Sequence, residues 1–255
     1  RIDMLLALMI EAGALATATS AVGLLQWHGL FKPLAMVIAI ALIATSALSI
    51  STRDRFNAKS WAAMVLALVL SLAGDVFLML NGLFIPGLVS FLGAHLAYIA
   101  AFRRRVPWFA HRGALLATLA VGAAMYSFLW AGGLPVALRG PVAAYVLVIA
   151  LMAAQALGRA RVLGHSAARM VAAGACLFML SDSLLATNRF AQALPMAPFW
   201  VLSTYYAAQV LIVWGWLRGQ SQEEAATSPP LDAPQTAAAT PTAAQNHPVA
   251  QTNPG

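Results

Sequence analysis

The chain has 255 residues, 61% hydrophobic and 9% charged, with a formal net charge of +7. A soluble domain carries about 25% charged residues, so this composition excludes one and describes an integral membrane protein. The basic excess does not describe a nucleic-acid binder, because the cations sit at the ends of apolar runs and not on one face.

A spanning helix needs about 20 mostly apolar residues. The chain offers about eight such runs, near 4–25, 30–50, 60–80, 84–102, 112–131, 140–157, 166–187 and 196–217. Strand-like alternation is missing, which argues against a barrel. The predicted fold is therefore all-α, an integral membrane protein of eight transmembrane helices. Span one is too long, and too polar in its middle, for a cleaved signal peptide. It carries Glu11, expected to bond a neighbouring helix. Lys32 opens span two in FKPL, where Pro33 suits a first helical turn. Span three contains SLAGD, ending at Asp75. Span four contains FLGAHLAY, with His95 and Tyr98 three apart on one face. Span seven holds Asp182 and the single cysteine, Cys176, expected as a small core residue. Span eight contains STYYAAQ, which places Gln209 one turn from Tyr205 and Tyr206. After Arg218 the sequence turns to Ala, Pro, Thr and Gln, too polar to offset its ordering entropy. The expected organisation is a membrane domain, 1–218, and a disordered tail, 219–255.

The cations give the orientation. Arg53, Arg55 and Lys59 follow span two, Arg103, Arg104, Arg105 and Arg112 follow span four, and Arg159, Arg161 and Arg169 follow span six. The opposite loops hold only Lys32, Arg139 and Arg189. The positive-inside rule then puts both N and C termini in the cytoplasm. The expected location is a bacterial inner (cytoplasmic) membrane. Trp27, Trp108, Trp130, Trp200 and Trp216 lie near span ends, as interfacial anchors do.

Of eight acidic residues, Glu11, Asp75 and Asp182 lie inside spans. An ionisable residue at membrane depth costs about 2.5–3.5 kcal/mol on insertion scales, so each needs a partner or a wet cavity. Asp75 and Asp182 both open the pattern D-x-x-L-x-x-N, which ends at Asn81 and Asn188. Spans three and seven run in the same direction, so both carboxylates lie about 9 Å below one rim. The matched pattern hints at a parallel repeat of four plus four spans.

FKPL, SLAGD, FLGAHLAY, LFMLSD and YYAAQVLI, in that order on eight spans, resemble the YhhN-type lysoplasmalogenase family. The resemblance implies a membrane hydrolase that cleaves the vinyl ether of lysoplasmalogens to a fatty aldehyde and a glycerophosphocholine or glycerophosphoethanolamine. It carries over Lys32, Gly74, Asp75, His95, Ser181, Asp182, Tyr205 and Gln209, and implies no cofactor and no metal. The expected partners are the lysophospholipid substrate and the bilayer, with no nucleic acid.

The residues suit that chemistry. A vinyl ether hydrolyses by protonation of its outer alkenyl carbon, which creates an oxocarbenium ion that water captures. Two carboxylates in unlike surroundings can divide the work, one giving the proton and one facing the cation. Asp75 has Ser71 one turn before it, whereas Asp182 has Phe178, Leu185 and Ala186, which favours Asp182 as the acid. Ser181 and Ser183 beside Asp182 argue the other way, so the roles stay open. Lys32 is expected to pair with the lipid phosphate, and His95 to orient an aspartate or relay a proton. Tyr205, Tyr206, Gln209, Ser181, Asn81 and Asn188 are the candidate substrate contacts, with helix–helix packing as their other reading.

A proton-coupled transporter and a non-enzymatic lipid-binding protein are the alternatives, since paired intramembrane acids also serve proton coupling. A zinc amide hydrolase of the ceramidase kind would need about three convergent histidines. His95 is the only one at depth, with His28, His111, His165 and His247 at rims or in the tail. No P-loop, GxSxG, HExxH or dinucleotide fingerprint is present.

Overall fold

In hydrocarbon every backbone polar group must be satisfied within its own segment, so apolar runs of this length fold as helices. The structure, a computed structural model, describes residues 2–23, 25–49 and 55–225. The turn with Arg53 and Asp54, and residues 226–255 with Asp232, His247 and most of the expected tail, lie outside the described residues. So do the side chains of Trp27, His28 and Arg55. The eight helices are α1 (Ile2–Ala21), α2 (Leu25–Ser49), α3 (Arg55–Met79), α4 (Phe84–Phe102), α5 (Arg112–Ala131), α6 (Val136–Leu163), α7 (Ser166–Ala186) and α8 (Ala197–Ala225). A π-helical turn, Thr187–Ala191, extends α7. Each helix contains a segment long and apolar enough to cross a membrane.

Helices α2, α3, α4, α6, α7 and α8 form an inner ring of successive neighbours, closed by contact between α8 and α2. Helix α1 packs against α2 and α8 from outside, and α5 packs against α6 and the π-helical turn. Most neighbour relations repeat with a shift of four helices, but the packing of α1 on α8 has no comparable counterpart between α5 and α4. Asp75 on α3 and Asp182 on α7 stand at corresponding places across the ring.

The tightest seam is between α7 and α8. A Cβ at Gly174 would lie 2.8 Å from the Ala208 carbonyl oxygen and 3.0 Å from the Ile212 nitrogen, both backbone atoms that cannot swing aside. Close backbone approach at small residues drives helix association in lipid. Gly174→Leu is expected to lower stability by about 1–3 kcal/mol. A thermal midpoint in detergent as high as wild type would show that the seam can open without cost.

At the arginine-rich end the last turns of α8 do not fray into a tail. Helix α8 continues past Arg218 to Ala225, and Glu223 is only 3% exposed. Its Oε1 lies 2.6 Å from Arg159 Nη2 and its Oε2 3.1 Å from Arg104 Nη2, with Arg105 Nε at 3.5 Å. Arg104 also donates to Gln220 Oε1 at 3.1 Å. These pairs join three separate segments, which is why the polar residues after Arg218 stay ordered. His165 Nε2 lies 3.8 Å from the same carboxylate, and burial, then Arg159, push its imidazole below the usual range. His165 and His111 also cap α7 and α5, their Nδ1 atoms accepting from Ala168 N and Ala114 N.

Several expectations change. Pro33 lies inside α2 and not in its first turn, because the helix begins at Leu25. Glu11 bonds no neighbouring helix among the described residues; it is exposed on the α1 face that also exposes Leu8 and Leu15. Cys176 is exposed on the outward side of α7, not in the core. Trp108, Trp130 and Trp200 are about half exposed, as anchors should be, but Trp216 is 1% exposed. It meets Trp61 edge-on at 5.8 Å and the guanidinium of Arg159 at 5.4 Å.

Candidate active site

Asp75 is 1% exposed, so its charge must be met locally. Lys32 on α2 meets it: Nζ lies 3.0 Å from Oδ1. The Tyr205 hydroxyl on α8 donates to Oδ2 at 2.6 Å. Gln209, one turn on, donates from Nε2 to the Tyr205 oxygen at 3.3 Å and accepts from the Tyr98 hydroxyl at 2.8 Å. A continuous chain of polar contacts thus runs from α2 through α3 and α8 to α4. Ser71 makes no hydrogen bond to Asp75. Gly74 is small for a steric reason, since a Cβ there would lie 2.5 Å from the Phe91 ring.

Asp182 has different company. The Tyr145 hydroxyl on α6 donates to Oδ2 at 2.5 Å, and His95 Nε2 lies 3.8 Å from the same oxygen. His95 is fully buried, and neither ring nitrogen makes a hydrogen bond. Its ring is clamped edge-on by Phe178 at 4.8 Å and Tyr145 at 5.2 Å. No lysine or arginine lies within ion-pair distance of Asp182 among the described residues.

Two cavities meet at Asp182. An open cleft is lined by Lys32, Asp75, Tyr205, Ser181, Asn188 and Asp182, with apolar residues from α7 and α8. A narrow slot runs between α4, α5, α6 and α7, and its walls are almost wholly apolar apart from Tyr145, Asp182, Ser183 and Arg189. Leu78, Phe91, Leu185 and Asp182 line both. On α4 the slot reaches from Phe84 to Phe91, and on α6 from Val142 to Ile149, a depth of about 10 Å.

Most of the residues singled out from the sequence converge here. Lys32 does so in direct contact with Asp75. Ser181 lines the cleft but donates its hydroxyl proton to the Val201 carbonyl at 2.9 Å, tying α7 to α8. Asn188 lines the cleft and accepts from Leu194 N at 2.9 Å. Tyr206 does not take part: it packs on Gly13 and lines a separate groove between α1 and α8. Asn81 lies in the exposed turn after α3, outside both cavities. Tyr145 was missed. Its only trace in the sequence is a lone hydroxyl in an apolar run, GPVAAYVLV. Among the described residues no three His, Cys, Asp or Glu side chains gather as a metal site.

The chain matches the YhhN family over residues 27–216. Lysoplasmalogenase TMEM86B of Homo sapiens is 39% identical over 60% of this chain and 62% of its own length. Lysoplasmalogenase TMEM86A of Homo sapiens is 32% identical over 57% and 61%. The lysoplasmalogenase of Mycobacterium tuberculosis (strain CDC 1551 / Oshkosh) is 29% identical over 80% of this chain and 77% of its own. The chain thus spans about six tenths of the length of the mammalian relatives. No solved structure matches it. The match from residue 27 to 216 takes in both aspartates, both cavities and every inner-ring helix, and the chain belongs to the YhhN family.

Proposed function

We propose that this protein is a lysoplasmalogenase, hydrolysing the vinyl ether of a lysoplasmalogen to a fatty aldehyde and a glycerophosphocholine or glycerophosphoethanolamine. The observation that carries the reading is the position of Asp182, in the wall of an apolar slot and of the polar cleft that holds Asp75. A vinyl ether lipid has the same layout, an apolar chain and a polar glycerol joined at the bond to be cut. Relatives named lysoplasmalogenase support the reading.

In this mechanism the alkenyl chain fills the slot and the glycerol lies in the cleft. Asp182, hydrogen-bonded by Tyr145 and with no cation beside it among the described residues, carries the proton and gives it to the outer alkenyl carbon. The electron pair of the double bond forms the new C–H bond, and positive charge develops on the carbon attached to oxygen. Asp75, held as a carboxylate by Lys32, faces that charge across the cleft and orients water toward it. Water adds, its proton returns to the carboxylate pair, and the hemiacetal collapses to aldehyde and alcohol. Tyr205, Gln209 and Tyr98 keep Asp75 fixed. The positive-inside bias sets the arginine-rich end in the cytoplasm and the cleft in the outer half of the bilayer.

The test is aldehyde release from a lysoplasmenyl lipid by purified protein in detergent. Catalytic release dependent on protein is expected. A folded wild-type protein that releases no aldehyde overturns the reading.

A further inference from the structure

The cleft has a cation, but that cation is committed. Lys32 is 8% exposed and lies 3.0 Å from Asp75, so drawing it to a phosphate would strip a buried carboxylate of its counter-ion. A second cation stands at the mouth of the slot. Arg189, on the π-helical turn, lines the same slot as Asp182 and is exposed at its outer end. Its guanidinium lies 4.0 Å from the centre of the Phe84 ring and 5.9 Å from that of Phe190. Among the described residues it makes no ion pair and no hydrogen bond, so its donor edge is open while its flat face is held.

We infer that Arg189 is the anchor for the phosphate of the lipid head group. The inference rests on the lysoplasmalogenase reading and deepens it by naming the group that recognises a phosphate-bearing substrate. A guanidinium stacked on an aromatic ring is pre-organised for bidentate binding of a phosphate, which a mobile lysine is not. Arg189 lies two helical turns beyond Asp182 along α7 and its extension, toward the rim. Arg189 follows Asn188, which lines the cleft, so a phosphate held at that rim leaves the glycerol in the cleft and lowers the vinyl ether to Asp182. Lys32 keeps Asp75 ionised instead of binding the head group.

The test compares binding of a saturated alkyl lysophospholipid, which cannot be cleaved, with that of the matching alkylglycerol, which lacks the phosphate. Wild type is expected to bind the phospholipid tighter. Arg189→Gln is expected to weaken phospholipid binding by about ten- to a hundredfold and leave the alkylglycerol unchanged. In turnover of a lysoplasmenyl lipid the variant should raise KM with little change in kcat. Arg189 is exposed, so the variant retains the fold, checked by its thermal midpoint. If wild type shows no preference for the phosphate, or Arg189→Gln preserves it, the anchor is overturned. Wild type that prefers the phospholipid but releases no aldehyde keeps the anchor and removes the catalytic reading. Wild type that turns over with a KM indifferent to Arg189→Gln does the reverse.

Discussion

Asp182→Asn is expected to lower aldehyde release by about 10²- to 10⁴-fold, the usual contribution of a positioned general acid. Asparagine preserves the size of the side chain and an oxygen that accepts from Tyr145, 2.5 Å away in the native protein. What it lacks is a transferable proton. The variant should fold with a thermal midpoint close to wild type, because Asp182 has no counter-ion to strand. Asp75→Asn differs on that count. It leaves Lys32 buried without its carboxylate, so both stability and rate should fall. Steady-state kinetics with melting curves in the same detergent separate the two. Asp182→Asn retaining more than about a tenth of the wild-type rate would rule out Asp182 as the acid.

Glu223→Gln is expected to lower stability by about 3–5 kcal/mol, the effect of removing one partner from a buried ion pair. Arg104 and Arg159, each 2% exposed, would face one another without the carboxylate that lies within 3.1 Å of both. The sign can be checked in a second background. Adding Arg159→Met to Glu223→Gln should recover part of the loss, because one uncompensated cation is gone. Denaturation in mixed micelles reads both. A double variant less stable than the single one would contradict this account. Glu223 lies about 27 Å along α8 from Tyr205, so kcat of the folded fraction should hold.

The spans were legible because bilayer thickness forces long apolar runs, and the two aspartates because carboxylates are scarce within them. Pairings between distant segments were not. Nothing near Glu223 in SQEEAATSPP points to Arg104 or Arg159, so a polar stretch read as tail. Lys32 was legible as a cation at the rim, but its partner is chosen by how α2 packs on α3. The repeat was half visible. The offset that carries Asp75 to Asp182 also carries Asn81 to Asn188, Tyr98 to Tyr205 and Lys32 to Arg139. The structure shows where the halves part. Lys32 turns in to Asp75, whereas Arg139 lies 3.8 Å from the Trp130 ring and donates to the Leu134 carbonyl. Both aspartates accept from a tyrosine, but that difference gives only Asp75 a cation as well, and no local pattern in the sequence contains it.

The cluster around Glu223 also has an order in time. Arg104 follows α4 and Arg159 lies in α6, and both are synthesised well before the last turns of α8. Until α8 is made these cations lack the Glu223 carboxylate, and positive charge flanking helices is what the positive-inside rule reads as a signal of orientation. The neutralising carboxylate is the last part of the cluster to be synthesised. On the positive-inside rule the same guanidinium groups would serve first as address labels during biogenesis; once α8 docks, they are the clasp that ties it to α6 and to the end of α4.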